Sequence, residues 1–320
     1  MLTRVLGRAR HGKSLFALGA FAAAVTTVAV VNPERFWNSL NPLHLNAVAF
    51  VALFAGKCVS LAAIDAVVDA FLRRQYASAP LPYRKNTGAV GLAQLEWIDY
   101  LYLAINSVVE FVFSAHVLRL VLEADPADIA WRPSDLGLFN TVPALYLVFA
   151  LDDFFYAPAH RLMHLPALYP YVHKHHHRQN LPTRGYLDAG NEHPIEQVLG
   201  LTCLWATLRV VAKLVGLHVV TILLHFLLYA TLALLNHTNF DVQFDVFGFE
   251  YSVRSHEMHH RFPQTNLAQY FMLWDKLMGT YRPYHDGLSS SKDPSSRTPS
   301  APLSQVSQVS QAQAATTKRD

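Results

Sequence analysis

The chain has 320 residues, 52% of them hydrophobic and only 15% charged, which is too apolar for an average soluble domain and long enough for several membrane passages. The formal net charge is a small +3 and the basic residues flank apolar runs instead of forming an aromatic-interleaved patch, which excludes nucleic acid as a partner. The two cysteines, Cys58 and Cys203, both fall inside apolar runs, which excludes a disulfide framework.

Residues 1–14 form a basic segment with Arg4, Arg8, Arg10 and Lys13. No acid occurs before Glu34, but no convincing small-residue cleavage pattern follows, so the segment is expected to stay on the chain. Crossing hydrocarbon takes roughly 20 helical residues. Residues 15–31, 43–71 and 98–122 approach or exceed that length and define an N-terminal transmembrane region over 15–135. Residues 136–155 form a further span, and 198–235 hold two more if the chain turns near Gly216.

Arg73, Arg74, Arg84 and Lys85 follow the second span, whereas Glu123, Asp125, Asp128 and Asp135 follow the third. By the positive-inside rule the N-terminus and the loop from Arg73 to Glu96 face the cytoplasm. Threading the spans in order then puts the segments after Phe155 and after Leu235 on that same side. From Gly287 on, Ser, Gln, Pro, Thr and Ala dominate, so 287–320 is expected to be a disordered polar tail.

Seventeen histidines are present, most of them clustered between Tyr156 and Arg261. His160 and His164 are four residues apart, on one face of a helix. His173, His176 and His177 form an H-x-x-H-H pattern that recurs in His256, His259 and His260. Neutral imidazole suits iron, zinc, copper and nickel, and these histidines are too many for one four- to six-coordinate ion, so the pattern points to two metals. His193, in Asn191-Glu-His-Pro-Ile-Glu196, and His237, in Asn236-His-Thr-Asn-Phe240, are candidates to complete the ligand set. His175 is expected to point off the face that carries its neighbours. His44, His116, His218 and His225 read as hydrogen-bonded residues of apolar helices, and His11 and His285 as solvated side chains.

H-x-x-x-H, then H-x-x-H-H, then a second H-x-x-H-H after an apolar hairpin, resembles the fatty acid hydroxylase and sterol desaturase superfamily, over roughly residues 136–284. Asp153-Phe-Phe-Tyr156, Tyr169-Pro-Tyr-Val-His173-Lys174 and His193-Pro-Ile-Glu196 agree with that family's phrasing. The resemblance implies an all-α, polytopic membrane bundle with a cytosolic helical cap, the catalytic domain covering 136–286. It also implies a non-haem di-iron centre and oxidation of a lipid. The family's ligand positions map directly onto His160, His164, His173, His176, His177, His256, His259 and His260, and less directly onto His193 and His237. A eukaryotic member would sit in the endoplasmic reticulum membrane.

Breaking an unactivated C–H bond needs a metal pair that can split dioxygen, because no side chain is oxidising enough. Asp152, Asp153, Asp188, Glu196 and Asp275 are the acids near the boxes that could orient the imidazoles, with Asp153 and Asp188 favoured. No Gly-x-Gly-x-x-Gly fingerprint or cysteine cluster is present, so electrons must come from a donor such as cytochrome b5 or a ferredoxin with its reductase. Two other readings compete. His256-Glu257-x-x-His260 is also the H-E-x-x-H pattern of a zinc metalloprotease, with Glu257 as base and Asp275 as a conceivable third ligand. A metal transporter with histidine-rich loops would use Lys57, Asp65, Asp69 and Glu110 within the membrane.

Overall fold

In the computed structural model the described residues are 2–76 and 80–288, and most of them are helical. The expected polar tail, from residue 289 on, lies outside them. Among the described residues, six helices are long and apolar enough to cross a membrane. The first, α1 (Leu2–Val31), starts inside the basic segment rather than after it. A short α2 (Pro33–Leu40), capped by the Asn32 side chain, leads to α3 (Ala47–Tyr76). The six-residue α4 (Pro82–Thr87) then precedes α5 (Trp97–Glu123). Val48, Val51, Val59, Val67 and Phe71 of α3 are exposed in the isolated chain. Such an apolar surface suits lipid and not water; the chain is an integral, multi-pass membrane protein.

The apolar run at 198–235 divides where anticipated. α9 (Pro194–Val215) ends at Gly216 and α10 (Val219–Asn236) follows, with α7 (Tyr169–Val172) and α8 (Tyr186–Ala189) lying earlier in the chain. Gly216 has a φ of +74°, and a side chain there would meet the Ala127 carbonyl oxygen at 3.3 Å; only glycine suits the turn. Just beyond it, β2 (Leu217–His218) pairs in parallel with β1 (Ile129–Ala130) and ties two connections together at that end of the bundle.

α6 (Val142–Met163) outruns its apolar stretch and carries His160 on the same rigid rod. It packs mainly on α9 and also on α10. Val148, Leu204, Leu208, Val211 and Ile222 form a core between these helices and α5.

Beyond α10 a β-hairpin, β3 (Gln243–Val246) with β4 (Phe249–Ser252), precedes α11 (Val253–Arg261) and α12 (Leu273–Met278). With β1 and β2, the hairpin is one of two small strand pairs in a chain that is otherwise mostly helical, as expected. Phe249 and Tyr251 on β4 pack into the core beside Phe149, Leu232 and Phe271. The C-termini of α6 and α10 and the N-terminus of α5 lie at one end of the bundle, where the histidine-rich segments form a cap.

Candidate metal centre

Nine histidines gather in two groups within that cap, all buried. His160, His164, His173, His177 and His259 form one group, and His176, His237, His256 and His260 the other; within each, the nitrogens that could bind lie within 4.8 Å of one another. The groups adjoin, with ring centroids 4.9 Å apart for His177–His260 and 5.7 Å apart for His173–His176.

Each H-x-x-H-H pattern is shared between the groups. Its first and last histidines enter one group and its middle histidine the other: His173 and His177 against His176, and His256 and His260 against His259. At about 100° per residue, positions i and i+4 nearly align while i+3 points to one side. α11 realises this as a helix. The second box does so in tighter turns, since α7 stops at Val172 and a 3-10 turn covers His176–Arg178.

Hydrogen bonds to the outer nitrogens set the tautomers. His160 Nδ1 donates to the Leu267 carbonyl (2.8 Å), His237 Nδ1 to Ala233 (2.8 Å), and His259 Nδ1 to Thr265 (2.9 Å). His173 Nδ1 donates to Glu196 Oε1 at 2.6 Å. All four Nε2 atoms are thereby left as lone pairs turned inward. His160 Nε2 and His173 Nε2 then face each other at 2.9 Å with no proton between them. That contact is repulsive unless a cation is shared.

The remaining Nε2 pairs are 3.3 Å (His160–His164), 3.4 Å (His176–His237), 3.2 Å (His237–His256) and 3.0 Å (His256–His260). Nitrogens bound about 2.1 Å from one ion lie roughly 3.0 Å apart at a right angle and about 3.4 Å apart at a tetrahedral one. Both nitrogens of His177 and Nε2 of His259 are buried without a hydrogen-bond partner. The donor set therefore fits a metal ion in each group. Burial, followed by repulsion from His160, lowers His164 to a pKa of about 3. Burial, with repulsion from other histidines behind it, holds His173, His176, His177, His256, His259 and His260 well below the usual value. All of these are neutral near pH 7, as ligands must be.

His193 does not join either group. It caps the start of α9, its Nδ1 accepting from Ile195 N at 3.2 Å, and its Nε2 lies 3.2 Å from the Ser14 carbonyl. His175 also lies apart, with Nε2 2.9 Å from both Asn191 Oδ1 and Asp99 Oδ1. His11, expected in solvent, is 4% exposed and bonds Glu96 at 2.7 Å because α1 packs over the cap.

Neither favoured acid touches an imidazole. Asp153 accepts from the backbone of Gln269, Tyr270 and Phe271. Asp188 accepts from Thr183 N, Arg184 N and the Arg184 guanidinium. Both acids hold loops. The carboxylate hydrogen-bonded to a grouped histidine is Glu196, placed by Pro194 in the first turn of α9, so the sequence signal was the His193-Pro-Ile-Glu196 phrase itself.

The metalloprotease reading fails on Glu257, which lies on the face of α11 away from the histidines. It accepts from Arg84 Nε at 2.6 Å and from the Tyr284 hydroxyl at 2.7 Å. Asp275, its conceivable third ligand, accepts instead from Leu267 N and Ala268 N, at 2.7 Å each. Arg84 also donates to the Pro182 carbonyl, a role that its place in a basic loop did not signal.

Residues 145–280 match the fatty acid hydroxylase family. The chain is 30% identical over 162 residues to the C-4 methylsterol oxidase erg25 of Schizosaccharomyces pombe, covering 47% of this chain and 53% of that protein. It is 31% identical over 161 residues to a cholesterol 25-hydroxylase-like protein of Danio rerio (47% and 62%). It is also 28% identical over 176 residues to lathosterol oxidase of Homo sapiens (55% and 54%). The chain thus spans between half and two thirds of the length of these relatives. No solved structure matches it. Residues 145–280, which hold all nine grouped histidines, thus form a domain of the fatty acid hydroxylase and sterol desaturase superfamily.

Proposed function

We propose that the protein is a membrane-bound, non-haem di-iron oxygenase that hydroxylates or desaturates a C–H bond of a lipid, with sterols the first class to test. The observation that carries this reading is the pair of adjoining, buried, all-histidine groups at the end of a membrane bundle. His160, His164, His173, His177 and His259 would hold one iron, and His176, His237, His256 and His260 the other. When bound, the metal pair supplies the oxidising power that side chains lack.

The chain's own part is positional. Carbonyls of Ala233, Thr265 and Leu267 and the Glu196 carboxylate keep imidazole lone pairs aimed inward. The apolar helices leave the lipid's tail in the membrane while its reactive carbon reaches the histidines. Electrons come from a separate donor, such as cytochrome b5 or a ferredoxin with its reductase. The cap faces the cytosol, in the endoplasmic reticulum membrane if the chain is eukaryotic. The relatives named for sterol oxidation support the substrate class.

The test is purification with metal analysis, joined to lipid profiling of cells with and without the chain. Two irons per chain and a lipid that gains one oxygen or loses two hydrogens are expected. Less than about one metal per chain, or an unchanged lipid profile, overturns the reading.

A further inference from the structure

A cavity of about 90 Å³ lies beside the histidines, reached by His160, His176, His237 and His256. Its volume suits about three waters, or a head group of a few heavy atoms. Glu110, Glu192 and Glu196 line it together with Tyr156, Tyr186 and Tyr229, and no lysine or arginine does. Glu196 is 1% exposed; it holds His173 through Oε1 and shares a hydrogen bond with the Glu192 carboxyl.

Glu110 stands on α5, in the membrane-spanning part of the bundle. Lys57 of α3 donates to its Oε2 at 2.6 Å and Tyr186 donates to its Oε1 at 2.5 Å. Tyr186 reaches it because the loop before α8 dips between the helices: Gly185, with φ +58°, sits where a side chain would meet Leu234 at 3.1 Å. A charged pair at membrane depth is expensive and marks function more often than stability. Glu110 and Lys57 lie outside residues 145–280, which the family match covers.

We propose that Glu110 determines substrate selection by accepting a hydrogen bond from the hydroxyl of an uncharged lipid alcohol, a reading that rests on the lipid oxygenase function proposed above. No lysine or arginine lines the cavity, so the charge of a free fatty acid or a phosphate would be buried there without a partner. A lipid ammonium would have to displace Lys57 and leave that ammonium buried and unpaired, at a cost the pair's geometry argues against. A neutral hydroxyl meets neither obstacle. It can donate to a remaining lone pair of the Glu110 carboxylate beside Tyr186 while leaving the ion pair in place.

The experiment uses the metal-loaded full chain in lipid nanodiscs and measures binding of two head-group series. One is oleyl alcohol, its methyl ether and oleic acid; the other is cholesterol, its methyl ether and its hemisuccinate. In at least one series the alcohol should bind about tenfold or more tighter than the ether and the acid. The double variant Lys57→Met, Glu110→Gln, shown to be folded by its retained metal, should lose that preference.

An ether or acid that binds as tightly as the alcohol, no binding of either alcohol, or a folded double variant with its preference intact overturns the assignment. The wild-type series decides by itself if the double variant does not fold. Alcohol selectivity without any oxidised lipid would leave this assignment standing and remove the proposed function.

Discussion

Glu196 and His173 show how a single contact tunes the centre. The carboxylate accepts from Nδ1 at 2.6 Å, which orients the ring and makes its other nitrogen a stronger donor to a metal. Glu196→Gln should weaken metal binding to the first group by about 10- to 100-fold, read by metal titration, while the second group is unaffected. His193 and His237 look alike in sequence, each beside a box and next to an asparagine or glutamate. Only His237 has its Nε2 among other imidazoles. His237→Ala should therefore cost roughly half of the bound metal by elemental analysis, and His193→Ala should leave metal content intact. Equal losses from the two variants would contradict the two-group arrangement.

At the scale of elements, α6 and the segment between α11 and α12 form one unit. Asp153 accepts three backbone N–H groups of residues 269–271, and Asp275 accepts two more at 267 and 268. The same segment supplies the Leu267 and Thr265 carbonyls that hold His160 and His259, both of the first group. Asp153→Ala leaves buried donors unmet, at about 1–3 kcal/mol each before relaxation. It should lower the melting temperature in detergent and release metal from the first group before the second. α11 is tied from its other face by Arg84 to Glu257. Glu257→Gln breaks a buried ion pair, worth about 3–5 kcal/mol when one partner is removed. Stability should fall, with metal binding kept in whatever fraction remains folded; a general base would give the opposite pattern, unchanged stability and abolished turnover.

For the whole molecule, the histidine cap makes stability depend on pH. In the metal-free protein His164 is lowered to about 3, first by burial and then by His160, and its neighbours lie well below the usual value. An unfolded histidine titrates near 6.5. Below that pH the unfolded chain takes up protons that the folded chain refuses, so stability is complete above about pH 6.5 and falls as pH drops toward 3. Melting curves of chelator-treated protein should show a falling midpoint from pH 7 to pH 5. Bound metal requires the same neutral imidazoles and should be released over the same range.

By itself the sequence determined the membrane class, the six apolar spans and most of the histidines that the fold gathers into two groups. Apolar length is a local property, and so is the spacing that turns His160 with His164, or His256 with His260, to one face. Gly216 was readable as a turn because a long apolar run can reverse only where the backbone is permitted to. Tertiary structure alone decided what depends on partners far along the chain. Spacing is blind to whether His193 caps a helix against Ser14 or binds a metal, and to whether Glu257 meets Arg84 or a substrate. It decided how the boxes divide, since the i+3 histidine chooses its group only when another helix brings imidazoles to that side. The Lys57–Glu110 pair and the carboxylate-lined cavity exist only because α3, α5 and the loop before α8 converge. A buried charge is tolerated only where a second charge meets it, and that meeting is made by packing across the fold.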